Sequence, residues 1–230
     1  ASPRFFSRDG PHLMSFEPRF DELPRLLPIF PLTGVLLLPR GRLPLNIFEP
    51  RYLAMTLYAL AHDRMIGMIQ PQEDAGDAGE PPVYKTGCAG RIVEFGETQD
   101  GRFLVTLKGV ARFDIASEPP RSTLFRLVTP DWQRWRGDLL EDDKNVDRDR
   151  MVAALKPFFD RQGINADSEI LDAAPIEHLV NSLAMACPFT PRERQALLEA
   201  VTTRDRAGIL TALVEMSVAS SVTPTGGAKN

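Results

Sequence analysis

Histidine and cysteine are scarce in this chain: 3 and 2 among 230 residues. Nucleophilic catalysis needs a base held beside a Ser or Cys, and the candidates His12, His62 and His178 are scattered. There is no Gly-x-Ser-x-Gly elbow to present a nucleophile. Zinc sites usually show themselves as closely spaced ligand pairs, and neither Cys-x-x-Cys nor His-x-x-x-His occurs. No Gly-Lys dipeptide occurs anywhere, which excludes a phosphate loop of the Walker type. No apolar stretch approaches the roughly 20 residues of a membrane span, and residues 1–16 contain no continuous apolar core of a secretory signal. Cys88 and Cys187 lie far apart among apolar neighbours and read as free buried thiols of a cytoplasmic protein rather than a disulfide. A basic excess is also missing. Residues 1–135 carry 16 basic and 16 acidic side chains, residues 136–230 carry 11 and 15, and the net charge is −4. That balance argues against a nucleic-acid partner. No cofactor or metal is expected.

What the chain does have is proline, 20 residues of it. The segment from Leu27 to Tyr52, LPIFPLTGVLLLPRGRLPLNIFEPRY, is punctuated by Pro28, Pro31, Pro39, Pro44 and Pro50. Between them lie short apolar pieces, Ile29-Phe30, Val35 to Leu38 and Leu45 to Phe48, which read as buried strands or extended segments. The period then changes. Glu49 and Pro50 occupy N-cap and first-turn positions, and Leu53, Leu57, Leu60 and Ala61 recur at helical spacing.

Further strands are expected at Met65 to Gln70, Val83 to Phe95, Phe103 to Lys108, Ala111 to Ala116 and Thr123 to Thr129. Glycines within 83–95 suggest a bulge, and Asp100-Gly101 marks a hairpin. Residues 71–82 are acidic and rich in Pro and Gly, as a surface loop is. Six or so short strands with one early helix suggest a small closed or half-closed barrel.

Beyond residue 147 the pattern is helical. Asp147 can cap a helix carrying Met151, Leu155 and Phe158, with Pro157 expected to kink or interrupt it and Gly163 to end it. A short turn is expected over 168–171. Pro175 opens an amphipathic helix bearing Ile176, Leu179, Val180 and Leu183. Thr190-Pro191-Arg192-Glu193 has the form of a capping box, and Thr203 can cap the last helix. The organisation that results is α+β. It comprises a flexible N-terminal arm (1–22, docked where Phe16 and Phe20 permit), a β-barrel subdomain (23–135), a linker (136–147), a C-terminal antiparallel helical bundle (148–219) and a disordered tail (220–230).

Leu27 to Leu32, Pro44, Leu45 and Ile47 to Tyr52 resemble the opening of the N-terminal, substrate-recognition domain of Lon-type ATP-dependent proteases. Gly87, Ile92, Asp100 to Arg102, Gly109, Arg112 and Phe113 continue the resemblance, as do Gln195, Leu197, Leu198, Glu199 and Arg206. It covers about residues 24–217. It implies a pseudo-barrel of the PUA-like type and a non-enzymatic role, because the ATPase and Ser-Lys peptidase modules of such proteases have no counterpart in these 230 residues. The implied partner is an unfolded or partner polypeptide in protein quality control, bound in the cleft between barrel and bundle. The alternatives are an RNA-binding PUA-like protein or a peptidase S16 relative without activity of its own. Glu49 reads as an acceptor of amide hydrogen bonds at the helix start, and Arg51 or Arg112 as the partner of a carboxylate within the domain; in the alternative the three are ligand contacts. Phe48 and Tyr52 read as core or rim residues. In the alternative they join Leu36 and Leu38 in an apolar groove for peptide, with Arg112 nearby.

Overall fold

The computed structural model describes residues 18–72, 81–120, 122–140, 146–162 and 174–220. Among them, six strands form one mixed sheet: β1 (Leu27–Pro31), β2 (Arg42–Ile47), β3 (Met65–Ile69), β4 (Thr86–Glu97), β5 (Phe103–Ser117) and β6 (Arg126–Asp131). The order is β2-β5-β4-β3-β1-β6, and a further pairing of β5 with β6 closes a ring of five strands. β2 stays outside that ring as an end strand on β5. β1 and β3 run parallel and the other pairs antiparallel.

One long strand makes this closure possible. The sequence suggested two strands over 103–116; the structure has one, β5, of 15 residues. Its first half pairs with β2 and its second with β6, while β4 follows it throughout. Gly109 does not break it. A Cβ there would lie 2.0 Å from the carbonyl oxygen of Leu38, so the glycine lets the 38–41 backbone press onto the strand. Arg40 N donates to Gly109 O, and Gly109 N donates to Gly41 O, both at 2.8 Å. Val35 to Leu38 form no strand; Leu36, Leu37 and Leu38 are buried and Val35 is half-buried. The β4–β5 register shifts twice, between Ala89 and Gly90, where Val110 is extra on β5, and between Ile92 and Glu94, where Val93 is extra on β4. Asp100-Gly101 forms the hairpin turn, with Gly101 at φ 79°.

Helix α1 (Pro50–Ala61) follows β2. Among the described residues, four more helices come late: α2 (Arg148–Gln162), α3 (Ile176–Ala186), α4 (Pro191–Glu199) and α5 (Thr203–Ser220). α5 packs against the other three. Pro157 lies inside α2 and does not interrupt it. Asp147 caps it by accepting from Arg150 N at 3.1 Å. The Thr190–Glu193 capping box forms as read. At α5 the cap is one residue earlier than expected: Thr202 and Asp205 make the reciprocal bonds, and Thr203 is already helical. The expected turn at 168–171, the end at Gly163, and the N-terminal residue Phe16 lie outside the described residues. Phe20 is described; it sits in a 3-10 turn beneath the Arg136 guanidinium, 4.7 Å from its ring centroid.

Two apolar clusters fill the interior. Leu27, Ile29, Phe113, Val128 and Trp132 form the smaller. The larger joins barrel to helices, bringing Leu37, Met55 and Leu107 against Leu155, Val180 and Leu210. Leu36 and Leu38 belong to this shared core.

Candidate functional site

The five residues expected to form a peptide groove occupy different places. Leu38 has no exposed surface, and Leu36, Tyr52 and Arg112 are 3%, 7% and 3% exposed. Only Phe48, at 62%, faces solvent. Tyr52 packs on Phe30, ring centroids 4.2 Å apart, in the core behind α1. The Arg51 guanidinium lies 4.5 Å from the Tyr52 ring centroid and is paired with Glu49 at 2.9 Å. Glu49 therefore spends its carboxylate on Arg51. It occupies the N-cap position of α1 without accepting a side-chain capping bond.

Arg112 is a strut. Its Nε and Nη2 donate to the two Asp138 carboxylate oxygens at 2.9 and 2.6 Å, and its backbone N donates to Asp138 as well. Nη1 donates to Leu198 O at 3.0 Å and to Ala200 O, and Nη2 to Val201 O at 3.3 Å. The guanidinium also stacks 3.9 Å from the centroid of the Trp135 ring. These bonds tie β5, the 3-10 turn Gln133–Leu139 and the C-terminal end of α4 together, where helix carbonyls favour a cation. Arg206 does the same from α5, donating to Leu197 O and Asn181 Oδ1 at 2.9 Å each. Burial, and secondarily the charge of Arg112, pull its pKa down to about 10, so it remains a cation at neutral pH. Arg40 donates to Glu177 at 2.6 Å, and Asn181 Nδ2 to Pro39 O at 3.0 Å. The junction of barrel and helices is thus occupied by core, ion pairs and hydrogen bonds along much of its length.

Open surface remains around β2. Two hollows of about 470 and 500 Å³ meet there at Pro44. The first lies beside the N-terminal half of β2, with Val35 and Leu36 on one wall and His178, Ser182 and Met185 of α3 on the other. Leu36 thus does line an opening, through the small part of it that is exposed. The second lies along the C-terminal half, over Phe95 and Leu104. Phe48 follows directly after β2, its ring 5.9 Å from the Arg102 guanidinium. Phe95, Leu104 and Val93 are exposed apolar side chains on β4 and β5. Sequence reading missed them, although one signal was present. Leu104 sits in the polar register of a strand whose Phe103, Val105 and Leu107 point inward, and an apolar residue at an outward position invites a surface role.

Among the described residues no group of three His, Cys, Asp or Glu is placed to hold a metal. Both cysteines are free and buried; burial pushes the Cys88 thiol far up and the Cys187 thiol up to about 11. No helix among the described residues is long and apolar enough to cross a membrane.

Comparison with known proteins agrees with the architecture. The crystal structure of a Lon N-terminal domain protein from Xanthomonas campestris superposes with a TM-score of 0.59 at 23% identity, over 81% of this chain and 97% of that one. The N-terminal domain of a Mycobacterium avium complex Lon protease gives 0.61 at 16% identity, over 82% and 97%. In sequence, Lon protease 2 of Myxococcus xanthus is 26% identical over 209 residues, which are 84% of this chain and 24% of that protein. Lon protease 1 of Bacillus subtilis is 23% identical over 198 residues. The chain therefore spans about a quarter of the length of these curated relatives. The family model of the ATP-dependent protease La (Lon) substrate-binding domain matches residues 26–215, and by that match the chain belongs to the Lon substrate-binding domain family.

Proposed function

We propose that this domain binds polypeptide, taking unfolded or partly unfolded segments of client proteins on the surface around β2. It does so without chemistry of its own. Family membership supports the class of ligand. The observation that carries the reading is a set of exposed apolar side chains around β2, with Phe48 at its end, Leu104 on the outward face of β5 and Phe95 across the sheet beside Phe103, next to two hollows. A domain rarely leaves several such side chains exposed along one strand edge unless something covers them. We place the site there rather than on Leu38, Tyr52 and Arg112, whose surfaces are already used. The ring of five strands, with β2 beside it, supports a PUA-like classification of the barrel. The net charge of −4 and the absence of a basic stripe speak for protein over RNA. Two free, buried thiols fit a reducing compartment such as the cytoplasm.

The test is fluorescence anisotropy with reduced, carboxymethylated α-lactalbumin as the unfolded ligand and the native protein as control. Saturable binding of the unfolded form alone is expected, reduced by Phe48→Ser. Equal binding of both forms, or of neither, contradicts the proposal, and tight salt-sensitive binding of single-stranded RNA would replace it.

A further inference from the structure

β2 is the end strand of the sheet and, among the described residues, pairs with β5 alone. Its ladder shows which backbone groups are spoken for. Gly41 O accepts from Gly109 N, while Gly41 N donates to Leu38 O; in the register that follows, Leu43, Leu45 and Ile47 turn their polar groups towards β5. Arg42, Pro44 and Asn46 turn theirs to the free edge. Pro44 agrees with this parity: lacking an N–H, proline is accepted within a strand where its nitrogen faces away from the ladder. The edge thus offers the N–H groups of Arg42 and Asn46 and the carbonyls of Arg42, Pro44 and Asn46. The gap at Pro44 discourages indiscriminate edge-to-edge pairing and leaves bonding groups on either side of it.

The two hollows differ in charge. The one beside α3 is lined by Arg42, His178 and Arg194 and by no carboxylate. Arg42 is matched across the strand by Glu94 at 2.5 Å. Among the described residues the hydrogen-bond partners of Arg194 are carbonyls, Phe189 O at 2.9 Å and Cys187 O at 3.0 Å among them. Its positive charge is therefore uncompensated within that hollow. The other hollow is apolar apart from Glu94, Thr106 and Asn46, with Phe95 and Leu104 in its lining.

We propose that β2 captures an extended segment of a polypeptide substrate by adding it to the sheet as a further strand. An acidic side chain of the segment enters the hollow beside α3, and apolar side chains enter the other hollow on its Leu104 face. This names the mode of capture for the binding proposed above and rests on that reading. Main-chain bonds to Arg42 and Asn46 supply affinity without regard to sequence. The alternation of side chains along a strand supplies the selectivity. A segment of about six residues, some 20 Å long, matches the length of β2.

Two variants test the site without disturbing the fold. Asn46→Pro removes an outward N–H and leaves the ladder to β5 intact, and Ser182→Trp fills the hollow beside α3; both positions are exposed. With carboxymethylated α-lactalbumin as probe, each variant is expected to weaken binding about tenfold while the melting curves stay those of the parent. A synthetic hexapeptide alternating leucine with polar residues is expected to bind better with a terminal glutamate than with a lysine. If the parent binds the unfolded protein and neither variant changes that, the edge is not the site, although the domain still binds polypeptide. If the parent binds nothing, both proposals fall. If sedimentation shows a dimer that Asn46→Pro dissolves, a second copy occupies the edge and capture by strand addition is overturned.

Discussion

Arg112 illustrates how a conspicuous residue can be structural. It is almost wholly buried, and its donors go to Asp138 and to carbonyls at the end of α4. Arg112→Met leaves the Asp138 carboxylate buried without its cation and is expected to cost about 3–5 kcal/mol in urea unfolding. Adding Asp138→Asn should recover part of that loss, and a cost within about 0.5 kcal/mol would contradict the strut. The thiols give a pH signature. Burial raises the Cys187 pKa from 9.0 to about 11 and raises Cys88 further, so the unfolded chain ionises first. Their contribution to stability is complete below about pH 9 and is lost as pH rises through the folded values. Urea midpoints should fall between pH 9 and 11, and less steeply in Cys187→Ser. At this scale the sequence pointed to the right residues with mixed success. That Arg51 or Arg112 pairs with a carboxylate was legible from side-chain chemistry. Their actual partners were not. Glu49 lies two residues from Arg51, whereas Asp138 reaches Arg112 only because the 3-10 turn folds back on β5.

At the scale of elements, the long strand β5 organises the sheet, and Gly109 is the place where the 38–41 segment crosses it. Gly109→Ala would set a Cβ against the Leu38 carbonyl, and because the obstacle is backbone it cannot simply rotate away. A loss of about 2–4 kcal/mol is expected, read from denaturant midpoints; an unchanged midpoint would mean that the crossing is loose. Elements defined by local chemistry were readable beforehand: the Asp100-Gly101 hairpin, the helix after Pro50 and the Thr190 capping box. Those decided by distant contacts were not. The run from Val35 to Leu38 read equally as a strand or an extended segment, and its contacts with sheet and helices leave it outside the ladder with Leu36 to Leu38 buried. The division of 103–116 at its glycine failed because Gly109 serves a neighbouring segment rather than a turn. The edge of β2 is legible in retrospect from Pro44, a residue that central strands exclude.

At the scale of the whole molecule, barrel and helices share one apolar cluster and a set of buried polar ties. They should melt as a unit, with circular dichroism and tryptophan fluorescence giving coincident transitions; two separated transitions would contradict the shared core. That rigid body presents its free strand edge and apolar side chains on one sheet, and the function proposed here depends on it. Amide exchange followed by NMR in the presence of carboxymethylated α-lactalbumin tests this most directly. In the free protein the amides of Leu43, Leu45 and Ile47 should be protected by β5, and those of Arg42 and Asn46 should exchange freely. Binding should slow Arg42 and Asn46 while leaving the other three unchanged. Saturation with the unfolded protein that leaves Arg42 and Asn46 exchanging as before would contradict the account.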